Sequence, residues 1–246
     1  MPPAHFLCYS AEMIIENAKK LARLASGRPQ QIADEEQAYR KLLARGFQPA
    51  GIIDVGAYKG NWTRMARRVF TKTPTLMIEA QVGKEPFLRE VCLELPGVEY
   101  VSAVLGSAPG KTVTFYEMET GSSMMSENSN VTRKEYILVT RTLDEVAADM
   151  VGSLFLKIDV QGAELEVLGG GAATLERAEV VQLEVAMLPY NIGAPTFLQV
   201  ISYMDERGFV PLDFSGFTRP NGRDLAQVDI LFTKRDAPLR LTYFIF

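Results

Sequence analysis

Residues 51–70 read GIIDVGAYKGNWTRMARRVF, and this stretch decides the fold. The first five residues form a short apolar run interrupted only by Asp54, and Gly56 ends it, as expected of a buried strand. From Asn61 onward the pattern is helical. Gly56-Ala57-Tyr58-Lys59-Gly60 is therefore a strand-to-helix turn. The same alternation repeats on either side of the middle of the chain. TLMIEA at 75–80 is a strand, 84–94 a helix stopped by Pro96-Gly97, and VEYVSAVLG at 98–106 a third strand. SLFLKIDV at 153–160 and VVQLEVA at 180–186 are strands flanking a helical segment broken by glycines at 169–171. A helix follows over 194–207, closed by Gly208.

Alternating strands and helices predict an α/β fold with a doubly wound, mostly parallel, seven-stranded Rossmann-like sheet and right-handed crossovers. The last two strands, FVPLDFSG at 209–216 and VDILFTKR at 228–235, are joined by TRPNGRD without a helix, which predicts a late antiparallel hairpin. KTVTFYEM at 111–118 alternates like an edge strand and is expected to form a hairpin with the strand before it. GSSMMSENSN at 121–130 reads as a loop and a candidate lid, with Met124 and Met125 as lid packing or substrate contacts. Thr142 and Glu145 have the spacing of a capping box that starts a helix. Ahead of this domain, taken as 47–246, residues 1–46 form a helical extension, with helices at 11–25 and 33–45.

Composition narrows the function. With 47% apolar and 23% charged residues the chain is an ordinary globular protein, and no apolar run reaches the length of a bilayer span. The net charge of −4 argues against nucleic acid as a partner, and Arg64, Arg67 and Arg68 fit the solvated face of a helix. Two cysteines, Cys8 and Cys92, make no disulfide framework, and the start MPPAHFLCYS lacks a signal-peptide pattern, so a cytoplasmic location is expected. The single histidine, His5, lies in the first ten residues, away from any rigid support for a hydrolytic triad or dyad. Zinc-type ligand spacing is absent. A carboxylate-held divalent metal stays open but is not expected.

Ligands of open α/β sheets bind beyond the carboxyl ends of the strands, where strand order reverses. The turn at 54–60 is Gly-x-x-x-Gly, not the Gly-x-Gly-x-x-Gly of dinucleotide enzymes. Asp54, Gly56, Ala57, Tyr58 and Gly60 are its candidate cofactor contacts, with Asp54 placed to hold a cationic amine. Glu79, 19 residues after Gly60, has the spacing of a ribose-binding acid, with Ala80 beside it. Ser102 and Ala103 would fall near a base. Lys157 and Asp159 alternate along one strand and so share one face, where two charges are costly unless paired or functional. Glu184 gives the next strand an acid at a neighbouring height.

Together, IIDVGAYKGNW, MIEAQ, the GSSM loop, TRTLDEV and LKIDVQGAELEVLGGG resemble the FkbM-type methyltransferases, a family of class I S-adenosylmethionine-dependent methyltransferases, over residues 50–235. The resemblance implies S-adenosylmethionine as cofactor and O-methylation of a sugar, glycan or natural product. Asp54, Gly56, Ala57 and Gly60 match the cofactor loop and Glu79 the ribose acid. Ser122 and Ser123 match a small polar segment, and Thr142, Leu143 and Asp144 the start of a helix. Lys157, Asp159, Gly162 and Glu164 match the central motif. Two positions depart from the pattern: Tyr58 stands where Asn is frequent, and Gln81 where proline is common. For the transfer itself, Asp159 is the first candidate base and Glu184 the second, with Lys157 orienting Asp159 or stabilising charge on oxygen. A reductase using NAD(P), a non-catalytic or partner-dependent protein on the same fold, and an RNA methyltransferase are the competing readings. The alternation Leu239, Leu241, Tyr243, Ile245 could add an edge strand or pack against a second subunit, as in a homodimer.

Overall fold

The computed structural model describes residues 35–128, 131–188, 190–220 and 222–240. The helix expected at 11–25, with His5, Cys8 and the tail beyond Arg240, lies outside them. In chain order the described elements are α1 (Glu35–Ala44), β1 (Gly51–Val55), α2 (Asn61–Val69), β2 (Thr75–Glu79), α3 (Glu85–Glu94), β3 (Val98–Ser102), β4 (Thr112–Glu117), β5 (Lys134–Val139) and α4 (Leu143–Val146). They continue with β6 (Leu154–Ile158), α5 (Glu164–Gly169), α6 (Ala172–Arg177), β7 (Ala178–Ala186), α7 (Phe197–Glu206), β8 (Phe209–Thr218) and β9 (Gln227–Lys234).

Seven strands form one sheet in the order β3-β2-β1-β6-β7-β9-β8. β1, β2, β3, β6 and β7 run parallel, whereas β9 is antiparallel to both its neighbours. The expected late hairpin is present, with its second strand inserted between β7 and β8. Strand order reverses between β1 and β6, so the crevice at their carboxyl ends is where a ligand would bind. No helix among the described residues is long and apolar enough to cross a membrane.

The core follows from strand alternation. Ile53 and Val55 of β1 and Leu154, Leu156 and Ile158 of β6 face one layer, packed by Leu143, Val167, Leu168, Leu175, Val200 and Met204. Ile52 and Phe155 face the other, against α1 and α2. There Tyr39, Phe47, Trp62, Phe70 and Phe155 pack edge-to-face at 5.2–5.9 Å, the arrangement that ring quadrupoles favour. Alternation also puts Asp54 and Lys157 on this second face, and parallel register sets them side by side.

One expectation fails. β4 pairs antiparallel with β5 in a separate two-stranded ribbon, not with β3. The backbone leaving β3 is already taken: Arg141 and Gly106 exchange hydrogen bonds with Val104 and Arg141, and Gly110 N–H reaches the Thr140 carbonyl. The segment before α4 thus occupies the place a β3–β4 hairpin would need. The Thr142 capping box forms as expected, with Glu145 N–H on the Thr142 hydroxyl at 3.2 Å and Thr142 N–H on the Glu145 carboxylate at 2.8 Å. Asp144 caps α6, accepting from Ala173 N–H, Thr174 N–H and the Thr174 hydroxyl.

Candidate active site

A cavity opens at the carboxyl ends of β1, β2 and β6. Its first wall is the strand-to-helix turn. Gly56 has φ 77°, and a Cβ there would stand 1.8 Å from the Asp159 carbonyl oxygen, so this position requires glycine. Gly56 N–H and Ala57 N–H both donate to the Ile78 carbonyl, Gly60 N–H to the Ala57 carbonyl, and Tyr58 N–H to Glu79. These donors are spent inside the turn and do not point at a ligand, whereas a pyrophosphate wants such backbone groups free.

Glu79 forms the second wall. It is 5% exposed, and its oxygens accept from Tyr58 N–H at 2.7 Å and Gln81 N–H at 2.9 Å. Burial pushes its carboxyl up, and the two backbone donors pull it back part of the way. Each oxygen keeps a lone pair. Beside it Ile78, Ala80, Ala103, Val104, Leu105 and Phe115 make an apolar slot. A carboxylate with free lone pairs next to a flat apolar slot fits a nucleoside: ribose hydroxyls on the acid, the base in the slot.

Across the cavity stands the charged pair from β6. Lys157 is buried, with its ammonium 3.1 Å from Asp54 Oδ1, 3.5 Å from Asp159 Oδ2 and 3.2 Å from the Gly56 carbonyl oxygen, and above the Trp62 ring. Burial alone would pull the lysine down, but Asp54 and Asp159 outweigh it and hold it above its ordinary value. Asp54 is 0% exposed and does not line the cavity. The cationic amine it holds is that of Lys157, and its other oxygen accepts the Thr63 hydroxyl at 2.7 Å. Asp159 faces the cavity with about a third of its side chain exposed (34%).

The remaining expected residues divide. Gly56, Ala57, Tyr58, Glu79, Ala80, Ala103, Lys157 and Asp159 line the cavity. Gly60 does not line it but supports the turn, since a Cβ there would meet Val91 at 2.5 Å. Ser102 points away, its hydroxyl donating to Glu85 at 2.9 Å. Glu184 sits one strand over, joined to Asp159 through Gln161: the Gln161 amide donates to Asp159 at 3.0 Å and also to Glu184. Gln227 donates to Glu184 as well, at 2.7 Å, and to Tyr190 Oη. Burial first, then the nearby charges of Asp159 and Asp229, push Glu184 well above the usual carboxylate range. Asp229, its register partner on β9, is pushed up to about 7 by burial and by Glu35 and Asp159. Glu164 is likewise raised to about 7, chiefly by burial, while accepting Gly162 and Val160 N–H.

Sequence reasoning had no role for Gln161, Tyr190, Gln227 or Trp62. Gln161 lay inside the quoted motif, and its left-handed backbone, φ 54°, marks a special position that only coordinates reveal. Tyr190 and Gln227 come from distant segments with no local signal. Met124 lines the cavity, while Met125 lies on a separate outer groove. Among the described residues no group of three or more His, Cys, Asp and Glu side chains is arranged to hold a metal.

The sheet order, its single antiparallel strand and a nucleoside-type cavity at the switch point define the methyltransferase variant of the Rossmann-like fold. Comparison with protein families matches residues 54–211 to the Methyltransferase FkbM domain, and the chain belongs to that family. No curated protein matches significantly. Among solved structures, a methyltransferase FkbM from Methylobacillus flagellatus KT superposes with a TM-score of 0.51 at 15% identity, over 76% of this chain and 44% of that one. This chain thus spans less than half the length of that protein. Precorrin-6y C5,15-methyltransferase from Geobacter metallireducens GS-15 gives 0.45 at 12% identity, over 80% of this chain and 86% of its own. Magnesium protoporphyrin IX methyltransferase from Synechocystis PCC 6803, solved with bound SAM, gives 0.45 at 11% identity, over 94% of this chain and 100% of its own.

Proposed function

We propose that this protein is an S-adenosylmethionine-dependent O-methyltransferase acting on a hydroxyl of a sugar, glycan or natural product. The observation that carries the reading is one cavity with Glu79 beside an apolar slot on one side and the Lys157–Asp159 pair on the other. When bound, S-adenosylmethionine supplies a methyl group on a sulfonium, the electrophile of an in-line displacement. Glu79 would hold the ribose hydroxyls, with Ala80, Ala103 and Phe115 against the base. Gly56, Ala57 and Tyr58 would face the amino-acid end.

An alcohol is a weak nucleophile, and a positioned base accelerates its attack. Asp159 is the base in this reading. Lys157 fixes one of its oxygens and Gln161 the other, so the carboxylate presents a single orientation to the cavity. Glu184 does not line the cavity and serves to hold Gln161. The Gln161–Gln227–Tyr190 network offers amide and phenol groups of the kind that bind hydroxyl-rich acceptors.

Calorimetric titration with S-adenosylmethionine and S-adenosylhomocysteine, with NAD(H) and NADP(H) as controls, is the first test. Micromolar binding of the former pair alone is expected. Binding of only a nicotinamide would refute the reading. Asp159→Asn should then cut turnover by about 100-fold or more while affinity for S-adenosylhomocysteine changes little. Full turnover by this variant would remove Asp159 as base, and binding without turnover on any hydroxylated acceptor would favour a non-catalytic role.

A further inference from the structure

The two positions that depart from the family pattern, Tyr58 and Gln81, meet at a single residue. The Tyr58 hydroxyl donates to the Glu119 carboxylate. The Gln81 side-chain amide donates to the Glu119 main-chain carbonyl at 3.0 Å. Lys84 adds an ion pair to the same carboxylate at 2.7 Å and stands over the Tyr58 ring. Glu119 is a non-glycine residue at φ 44°, a conformation that persists only where its surroundings over-determine it. Here they do, through three side chains from two other segments.

Glu119 begins a strap that completes the cavity. Glu119, Thr120, Ser122, Ser123 and Met124 all line it. At its far end the Ser123 hydroxyl is anchored to the Val160 and Gln161 carbonyls, and its backbone bridges to Tyr116. That bridge closes the base of a turn, within which the Ser122 hydroxyl accepts Met118 N–H and donates to the Glu119 carbonyl. The side chains that tie the turn to the cofactor wall are Tyr58, Gln81 and Lys84. The first two flank Glu79, to which both give their backbone N–H.

We infer that Tyr58, Gln81 and Lys84 form a clasp that holds Glu119 and closes the 119–124 strap over the cofactor pocket, so that opening the clasp gates cofactor entry and product release. This rests on the cofactor reading above. Tyr58 and Gln81 are in this sense positioning residues, and the residues found at these two places are explained by their shared partner. The latching contact is ionic and lies at the surface, with the Glu119 side chain 71% exposed, so salt should loosen it.

The test uses the full chain and its single tryptophan, Trp62, which lines the cavity and reports binding by fluorescence. Stopped-flow association and dissociation of S-adenosylhomocysteine are measured for wild type, Glu119→Gln and Lys84→Met. Both rates should rise together in the variants, by about three- to tenfold, with Kd nearly unchanged. High salt should bring wild type toward Glu119→Gln and leave the variant unmoved. Hydrogen exchange without ligand should quicken in residues 118–124 of the variants and not in β1 or β6. Unchanged rates, or a faster dissociation alone with Kd weakened in proportion, would overturn the gate, the latter by making Glu119 a direct contact. A wild type that takes up no S-adenosylhomocysteine refutes the cofactor reading instead, and the exchange of 118–124 still decides whether the clasp holds the strap.

Discussion

Replacing Lys157 with methionine tests the charge arrangement behind the site. The methionine chain fills similar volume, so packing changes little, but the ammonium between Asp54 and Asp159 is gone. Asp159 is partly exposed and can be solvated. Asp54 cannot: it is 0% exposed, Thr63 satisfies only one of its oxygens, and the other faces Lys157. Breaking a buried pair by removing one partner costs about 3–5 kcal/mol, because a charge is left without compensation. In a chain of this size each kcal/mol moves Tm by about 2–4 °C, so Lys157→Met should melt about 6–20 °C lower. Adding Asp54→Asn should recover at least half of that loss, since the amide keeps the Thr63 bond and carries no charge. The assay is urea unfolding followed by circular dichroism, with thermal melts beside it. The lysine is held above its ordinary value of 10.5, so its contribution is complete below that pH and is lost only in stronger alkali; neutral buffer is therefore suitable. A single variant that melts within about 2 °C of wild type, or a double variant less stable than the single, would refute the reasoning.

Other outcomes follow from the same geometry. Glu79→Gln should weaken S-adenosylhomocysteine by about 10- to 100-fold in calorimetry, since hydrogen bonds to a charged group are worth about 1.5–3 kcal/mol; unchanged affinity would move the ribose elsewhere. Asp229 has a folded pKa raised to about 7, so the folded state binds a proton that the unfolded chain has released, and stability falls between about pH 4 and 7. Asp229→Asn should flatten that decline in melts across the range, and an unaltered slope would count against it. Asp144→Ala should cost about 1–2 kcal/mol through the lost cap on α6, with cofactor affinity untouched, as read by unfolding and calorimetry together.

Local pattern was enough for most of the elements. β1, β2, β6 and β7 are apolar runs bounded by glycine or turn residues, and buried parallel strands leave that signature because both faces are covered. The lack of a helix between β8 and β9 forced their antiparallel pairing. The wrong partner for β4 shows where such reading stops. Edge strands carry no local mark of which neighbour they join, and only the path of residues 104–110 beside 140–141 settles it.

For the site, chain order and alternation brought Glu79, Lys157 and Asp159 to one crevice, because strand ends are fixed by topology and faces by parity. What parity cannot give is which acid a buried lysine chooses. Register set Asp54 beside Lys157 and so took from Asp54 the ligand-holding role its strand-tip position suggested. Gln161, Tyr190, Gln227 and Glu119 were invisible for a related reason. Their contacts span from two dozen to more than sixty residues along the chain, and hydrogen bonds between side chains that far apart depend on packing, which no local spacing encodes.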